Sequence, residues 1–93
     1  MKIKIAILGS TGSIGKSTIK IIKDNPKNFD VVLLTANNNY KELAKQANDL
    51  KAKNLIINNP KILKKLKNKI KNKNIKIHQD LKNFSNKNKK KID

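Results

Sequence analysis

Three glycines near the N-terminus, Gly9, Gly12 and Gly15, are spaced so that the backbone between them could hold a phosphate group. Glycine lets the chain turn tightly and lets a ligand approach main-chain N–H groups without a Cβ in the way. The glycines follow an apolar run at 5–8 that is typical of a buried strand, and they precede a helix-compatible segment. A turn from a strand into a helix directs free N–H groups and the positive helix end at one point. The spacing therefore predicts an anion site.

Two classes of phosphate-binding loop have a similar spacing. A Walker A loop needs a glycine, four residues and then Gly-Lys-Ser, and counting back from Gly15-Lys16-Ser17 places Ser10 where that first glycine belongs. A dinucleotide-binding loop tolerates Ile14, because this side chain would then lie in the helix and pack on the sheet, although the usual spacing is Gly-x-Gly-x-x-Gly. We favour the dinucleotide loop and keep a P-loop-like nucleotide-binding fragment as the alternative.

The end of the next apolar run, Thr35-Ala36-Asn37-Asn38-Asn39, indicates which dinucleotide would fit. In an NAD-binding unit an acidic residue closes this strand and accepts hydrogen bonds from the ribose hydroxyls. No acid stands here, so nothing in the segment would repel a 2′-phosphate, and NADP is favoured over NAD. Asn39 and Glu42 also have the spacing of a capping box for the following helix, and both roles are compatible.

The run Gly9-Ser10-Thr11-Gly12-Ser13-Ile14-Gly15, followed by Pro26, Val31-Val32 and Asn39, resembles the N-terminal NADPH-binding domain of the 1-deoxy-D-xylulose 5-phosphate reductoisomerase family. From about residue 50 onward only the pattern of strands and helices matches. The resemblance implies that the cofactor contacts are Gly9, Ser10, Thr11, Gly12, Ser13, Ile14, Asn37, Asn38 and Asn39, where Asn37 replaces a glycine of the family.

The same resemblance implies an oxidoreductase of non-mevalonate isoprenoid biosynthesis. Family members rearrange and reduce 1-deoxy-D-xylulose 5-phosphate to 2-C-methyl-D-erythritol 4-phosphate with NADPH and a divalent metal, Mg or Mn. The sequence contains no paired carboxylates, no Ser/His/Asp set and no metal-ligating cluster. We therefore expect a cofactor-binding fragment that is inactive alone, with NADPH and the remainder of the enzyme as partners. The homodimer of the family is not expected from this chain alone.

Alternating apolar and amphipathic segments predict the elements that hold these residues. Four segments are predicted as strands: Lys2–Leu8, Asp30–Ala36, Asn54–Asn58 and Asn74–His78. The first helix should end before Pro26, because the residue before a proline avoids the helical conformation. The expected buried helix faces are Ile14, Thr18, Ile21 and Ile22, then Tyr40, Leu43, Ala44, Ala47 and Leu50, then Ile62, Leu63, Leu66 and Ile70.

The predicted architecture is α/β, a Rossmann-like three-layer sandwich with a parallel sheet, truncated after about four strands. The fourth strand alternates apolar and polar residues, as an edge strand does, which favours the order 4-3-2-1 over 3-2-1-4. A further strand would then pair beside the first. Residues 1–84 are assigned to a partial NADP-binding domain and residues 85–93 to a lysine-rich loop or disordered tail. His78 is predicted to be a surface residue at a strand end.

The formal charge of +17 raises a third possibility, a non-specific nucleic-acid-binding basic module. All 23 basic residues are lysines, and aromatic residues make up only 3% of the chain, which leaves little for reading or stacking on bases. We therefore expect no specific nucleic-acid partner. The chain has no cysteine and no apolar run long enough for a signal peptide or a membrane span, which predicts a cytoplasmic protein without membrane association.

Overall fold

Strands and helices alternate along the chain in a computed structural model that describes residues 2–72 and 74–80. The elements are β1 (Ile3–Ile7), α1 (Ser13–Asp24), β2 (Phe29–Ala36), α2 (Tyr40–Leu50), β3 (Asn54–Ile57), α3 (Pro60–Lys69) and β4 (Lys76–His78). All pairings are parallel and the order is β1-β2-β3-β4. The predicted α/β class and the strand order are confirmed. The predicted tail at 85–93 lies outside the described residues.

All three helices pack on one face of the sheet. Their buried side chains form a single core with side chains of the strands, including Ile19, Ile22, Leu43, Ala47, Leu66, Leu34, Leu55 and Ile57. Each connection advances to the next strand in the same direction, and right-handed crossovers of this kind place every helix on the same side. A second cluster on the opposite face contains Val32, Leu33 and Ile56 with Ala6, and no helix of the described residues contributes to it. The described residues therefore form two layers of the predicted sandwich.

The buried face of α1 differs from the predicted one. Gly15, Ile19 and Ile22 are buried, whereas Ile14 is 85% exposed and Ile21 is also exposed. The rotation of the helix is set at Gly15, where an added Cβ would lie 2.3 Å from the carbonyl oxygen of Gly9. With about 3.6 residues per turn, a helix that turns residues 15, 19 and 22 inward carries 14 and 21 to its flank. The prediction that Ile14 packs on the sheet was wrong.

The ends of the helices follow local signals in the sequence. The α1 helix stops at Asp24, two residues before Pro26, as predicted. Asn39 caps α2 by accepting a hydrogen bond from the N–H of Glu42 at 3.3 Å, and Asn59 caps α3 by accepting from the N–H of Lys61 at 3.0 Å. The predicted apolar faces of α2 and α3 are the faces that pack on the core. None of the helices in the described ranges is long and apolar enough to cross a membrane.

A β-bulge interrupts the pairing of β1 with β2. Ile5 pairs with Val31 and Ala6 with Leu33, so Val32 is the extra residue. The Nδ2 group of Asn54, buried on β3, donates to the carbonyl oxygen of Val32 at 2.9 Å. Because Nδ2 is the donor, Oδ1 of Asn54 is the acceptor, and it lies 3.0 Å from Nε2 of His78 at the end of β4. A polar chain thus crosses three neighbouring strands. His78 is at a strand end as predicted, but it is half-buried and hydrogen-bonded.

Replacing Asn54 with alanine should lower the free energy of unfolding by about 1–3 kcal/mol, because the Val32 carbonyl loses a buried donor and the hydrogen bond between Asn54 and His78 is lost. Urea denaturation followed by circular dichroism measures the change. Asn58→Ala, at an exposed position four residues later, is the control and should change stability by less than about 0.5 kcal/mol. Equal stability of the two variants would contradict this account of the bulge.

Replacing Gly15 with alanine should lower the melting temperature, with a cost of about 1–3 kcal/mol, because the new Cβ would overlap backbone atoms of Gly9 and Ser10. The matched variant is Gly12→Ala, where the nearest atom to an added Cβ is 3.5 Å away, an ordinary contact. Thermal unfolding of both variants provides the test. If Gly12→Ala lowered the melting temperature as much as Gly15→Ala, the helix would not be held by this contact.

Candidate functional site

The loop between β1 and α1 is a tight turn that begins at Gly9. Gly9 has φ of +73°, in the left-handed region that favours glycine. Its carbonyl oxygen accepts a hydrogen bond from the N–H of Gly12 at 3.1 Å, which closes the turn. The turn brings the chain back so that α1 starts at Ser13, directly beside the end of β1.

Thr35 on β2 and Gln46 on α2 hold this loop in place. The N–H of Gly9 donates to Oγ1 of Thr35 at 2.9 Å, and the N–H of Ser10 donates to the Thr35 carbonyl at 2.9 Å. The Ser10 hydroxyl donates to the same carbonyl at 3.4 Å, and Nε2 of Gln46 donates to the Ser10 carbonyl at 2.9 Å. Ser10 is completely buried. Its side chain is therefore turned inward, and the residue anchors the loop.

The first turn of α1 presents backbone N–H groups without a side-chain cap. Gly12 is the N-cap residue, and its carbonyl accepts the first intrahelical bond from the N–H of Lys16 at 2.8 Å. The hydroxyls of Ser17 and Thr18 donate to carbonyls one turn earlier and so do not compete for the N–H groups. The helices α2 and α3 each have an asparagine cap. Among the described helices, α1 alone leaves its first N–H groups to an external acceptor.

A groove of about 540 Å³ runs along β1 and ends at this turn. It is lined by strand residues 5–8 and by Gly9, Gly12, Ser13, Ile14, Gly15 and Thr18. Four of the predicted contacts, at positions 9, 12, 13 and 14, share this groove, and half-buried Thr11 lies within the same turn. The exposure of Ile14 follows from its position, since its side chain forms part of the groove wall.

The second predicted group of contacts follows β2 at the same edge of the sheet. Asn37, Asn38 and Asn39 are exposed, and none of the residues from Thr35 to Asn39 is acidic. The Asn39 side chain caps α2, and Oδ1 of Asn38 accepts a long hydrogen bond, 3.5 Å, from Nδ2 of Asn59. The carboxyl ends of neighbouring parallel strands meet at one edge, where α/β proteins bind their ligands.

The geometry disfavours the Walker A alternative. Gly15 lies inside α1 and packs on the backbone of Gly9 and Ser10, so it is not part of a loop that wraps a phosphate. Lys16 lines a different groove, between α1 and α2, together with Lys20 and Lys45. The phosphate-binding lysine that a Walker loop requires is therefore turned away from the turn at Gly9.

The described residues do not fit a catalytic metal centre. No group of three histidine, cysteine, aspartate or glutamate side chains in residues 2–72 and 74–80 could hold a metal ion. A divalent metal needs several such ligands, so no chemical step can be assigned to a metal on these residues.

Sequence reasoning missed both residues that hold the loop. From the sequence, Thr35 is recognisable only as part of a strand end, and Gln46 lies among the apolar residues of α2. The available signal was the polarity of Gln46 within an apolar stripe, since a buried amide in a helix requires a hydrogen-bond partner.

Comparison with known proteins relates the chain to one enzyme family. The family model described as 1-deoxy-D-xylulose 5-phosphate reductoisomerase matches residues 5–91. The reductoisomerase of Pelagibacter ubique (strain HTCC1062) is 61% identical over 54 residues, which cover 58% of this chain and 14% of that protein. The reductoisomerase of Wolbachia pipientis subsp. Culex pipiens (strain wPip) is 40% identical over 74 residues, which cover 80% of this chain and 19% of that protein.

A solved structure of similar fold is 1-deoxy-D-xylulose 5-phosphate reductoisomerase from Zymomonas mobilis in complex with NADPH. It superposes with a TM-score of 0.79 at 35% identity, over 83% of this chain and 20% of that one. The chain thus spans between 14% and 20% of the length of these three relatives. The family model matches nearly all residues of this chain, so the chain belongs to the 1-deoxy-D-xylulose 5-phosphate reductoisomerase family. It corresponds to the N-terminal part of the family's proteins.

Proposed function

We propose that this chain binds NADPH, as the cofactor-binding N-terminal part of a 1-deoxy-D-xylulose 5-phosphate reductoisomerase. The observation that carries the proposal is the uncapped first turn of α1, held at the end of β1 by the glycine turn. Oriented N–H groups and a helix N-terminus form a site for a diphosphate. The NADPH complex of the Zymomonas mobilis relative supports the choice of ligand.

The pyrophosphate would lie against the turn and the first turn of α1. The N–H groups of Thr11, Ser13 and Ile14 would donate to its oxygens. Gly12 would let the ligand approach the backbone closely, because the position that a Cβ would occupy there is open except on the side of the Gly9 carbonyl. Gly9 and Ser10 would hold the turn in place through their hydrogen bonds to Thr35 and Gln46. The helix dipole and the high net positive charge of the chain both favour a bound anion.

The adenosine 2′-phosphate would lie at Asn37, Asn38 and Asn39. Their side-chain amides supply hydrogen-bond donors, and no carboxylate of this segment faces the additional phosphate charge. An acidic residue at this place is what binds the free ribose hydroxyls of NAD. The absence of an acid from Thr35 to Asn39 therefore supports selectivity for NADPH over NADH.

The chemistry of the whole enzyme belongs to parts that the described residues do not contain. NADPH supplies the reducing equivalents for the conversion of 1-deoxy-D-xylulose 5-phosphate to 2-C-methyl-D-erythritol 4-phosphate, and this chain would bind and orient it. The metal site and the substrate site would come from the rest of the enzyme, as would the contacts of its homodimer. We expect the chain to have no reductoisomerase activity alone and to act in the cytoplasm.

Replacing Asn37 with aspartate should abolish the preference for NADPH over NADH. The chain should bind NADPH at least about tenfold more tightly than NADH, and the new carboxylate should remove this difference by repelling the 2′-phosphate. Isothermal titration with NADPH, NADH and ATP–magnesium measures the affinities, and Asn48→Asp on the exposed side of α2 controls for net charge. Tighter binding of NADH, or of ATP with magnesium, by the unmodified chain would contradict the proposal.

Replacing Gly12 with valine should weaken NADPH binding at least about tenfold without lowering the melting temperature by more than about 3 °C. The added carbons would stand where the pyrophosphate approaches, while the protein itself has room for them. Lys20→Val, at an exposed position on α1, introduces the same side chain away from the turn and should leave affinity unchanged. Unaltered binding by Gly12→Val would show that the phosphates bind elsewhere.

A further inference from the structure

We propose that Gln46 is a positioning residue for the cofactor, because it fixes the orientation of the peptide group between Ser10 and Thr11. This inference rests on the proposed NADPH function and extends it to a residue that would not touch the ligand. Gln46 lies in the second turn of α2 and is only 3% exposed. Its Nε2 group donates to the carbonyl oxygen of Ser10 at 2.9 Å, across 36 positions of the chain.

The planarity of the peptide bond turns this contact into a constraint on the next N–H group. The carbonyl of Ser10 and the N–H of Thr11 belong to the same peptide, which is trans, so they point in opposite directions. When Gln46 holds the carbonyl inward, the N–H of Thr11 must point outward from the turn. No backbone carbonyl of the described residues accepts from this N–H. It is therefore available to a phosphate oxygen.

The opposite orientation would harm anion binding in two ways. A flipped peptide would turn the Ser10 carbonyl dipole toward the phosphate and would withdraw the N–H of Thr11 from it. The bonds from Gly9 and Ser10 to Thr35 hold the preceding peptides, but none of them acts on the Ser10 carbonyl. Among the described residues, Gln46 supplies the hydrogen bond that favours one of the two orientations at this position.

The energetics of Gln46 indicate that packing is not its main contribution. Its Oε1 atom is buried and has no hydrogen-bond donor among residues 2–72 and 74–80. A buried acceptor without a partner opposes folding. The same face of α2 carries Leu43, Ala44 and Ala47, all buried. Methionine would fill nearly the same volume there without an unpaired oxygen, so what glutamine adds at this position is the hydrogen bond to Ser10.

The variant Gln46→Met tests the proposal in the 93-residue chain, with Leu43→Met on the same buried face as the matched control. Three quantities are measured: the melting temperature, the Kd for NADPH, and the NMR signals of the Ser10 carbonyl carbon and the Thr11 amide. In Gln46→Met the Ser10 carbonyl loses its buried donor, but the unpaired Oε1 atom is removed as well. These two effects on stability oppose each other, so we expect only a small change in the melting temperature. The Kd should rise about fivefold, since the affinity falls with the fraction of loops in the competent orientation. The carbonyl signal of Ser10 should move as its hydrogen bond is lost, and Leu43→Met should leave it in place.

The outcomes separate this inference from the proposed function. If the unmodified chain fails to bind NADPH, the proposed function is wrong, while the Ser10 and Thr11 signals still decide whether Gln46 sets this peptide. Unchanged signals in Gln46→Met would overturn the inference, as would an affinity loss no larger than that of Leu43→Met. A check on the unmodified chain needs no variant. The Nε2 protons of Gln46 should exchange with solvent far more slowly than the side-chain amide protons of exposed Asn48, and equally fast exchange would also overturn the inference.

Discussion

The contact of α1 with the end of β1 is the constraint on which the site depends. An added Cβ at Gly15 would lie within 2.7 Å of Ser10 backbone atoms and closer still to the Gly9 carbonyl, so only glycine permits this approach. The approach fixes where the helix starts and how it is rotated. The rotation in turn places Ile14 beside the groove instead of on the sheet, and it directs the uncapped N–H groups of the first turn toward the space at the end of β1.

Side chains form hydrogen bonds with backbone N–H and C=O groups that the strand pairing leaves without partners. At the bulge, Asn54 donates to the Val32 carbonyl, and at the turn Thr35 and Gln46 bond to the backbone of Gly9 and Ser10. Buried backbone groups without partners are costly, so irregular backbone near a ligand site needs support of this kind. In both places the polar side chain comes from a neighbouring element of the sheet or the helix layer. The loop is therefore held by tertiary contacts within the chain.

Most of the fold could be predicted from local signals, because the chemistry that sets each boundary lies within a few residues of it. Pro26 ends α1, Asn39 and Asn59 cap the next two helices, and the alternation in β4 marks an edge strand. The glycine spacing likewise located the turn. Three features could not be predicted, because each depends on residues more than twenty positions away. They are the bulge at Val32, the hydrogen bond between His78 and Asn54, and the hydrogen bond from Gln46 to Ser10. The buried face of α1 was predicted wrongly because the prediction used only the spacing of the isoleucines. The close packing of Gly15, which sets the rotation of the helix, does not appear in that spacing.

Mapping the NADPH contacts on the ¹⁵N-labelled chain shows directly whether the cofactor binds at the glycine turn. We expect saturating NADPH to shift the amide signals of Thr11, Ser13 and Ile14 together with those of the side-chain amides of Asn37 to Asn39. The cofactor is a polyanion and the chain carries a net charge of +17, so unspecific attraction to lysines is the competing explanation. Shifts confined to the groove of Lys16, Lys20 and Lys45, with the glycine turn unaffected, would contradict the account.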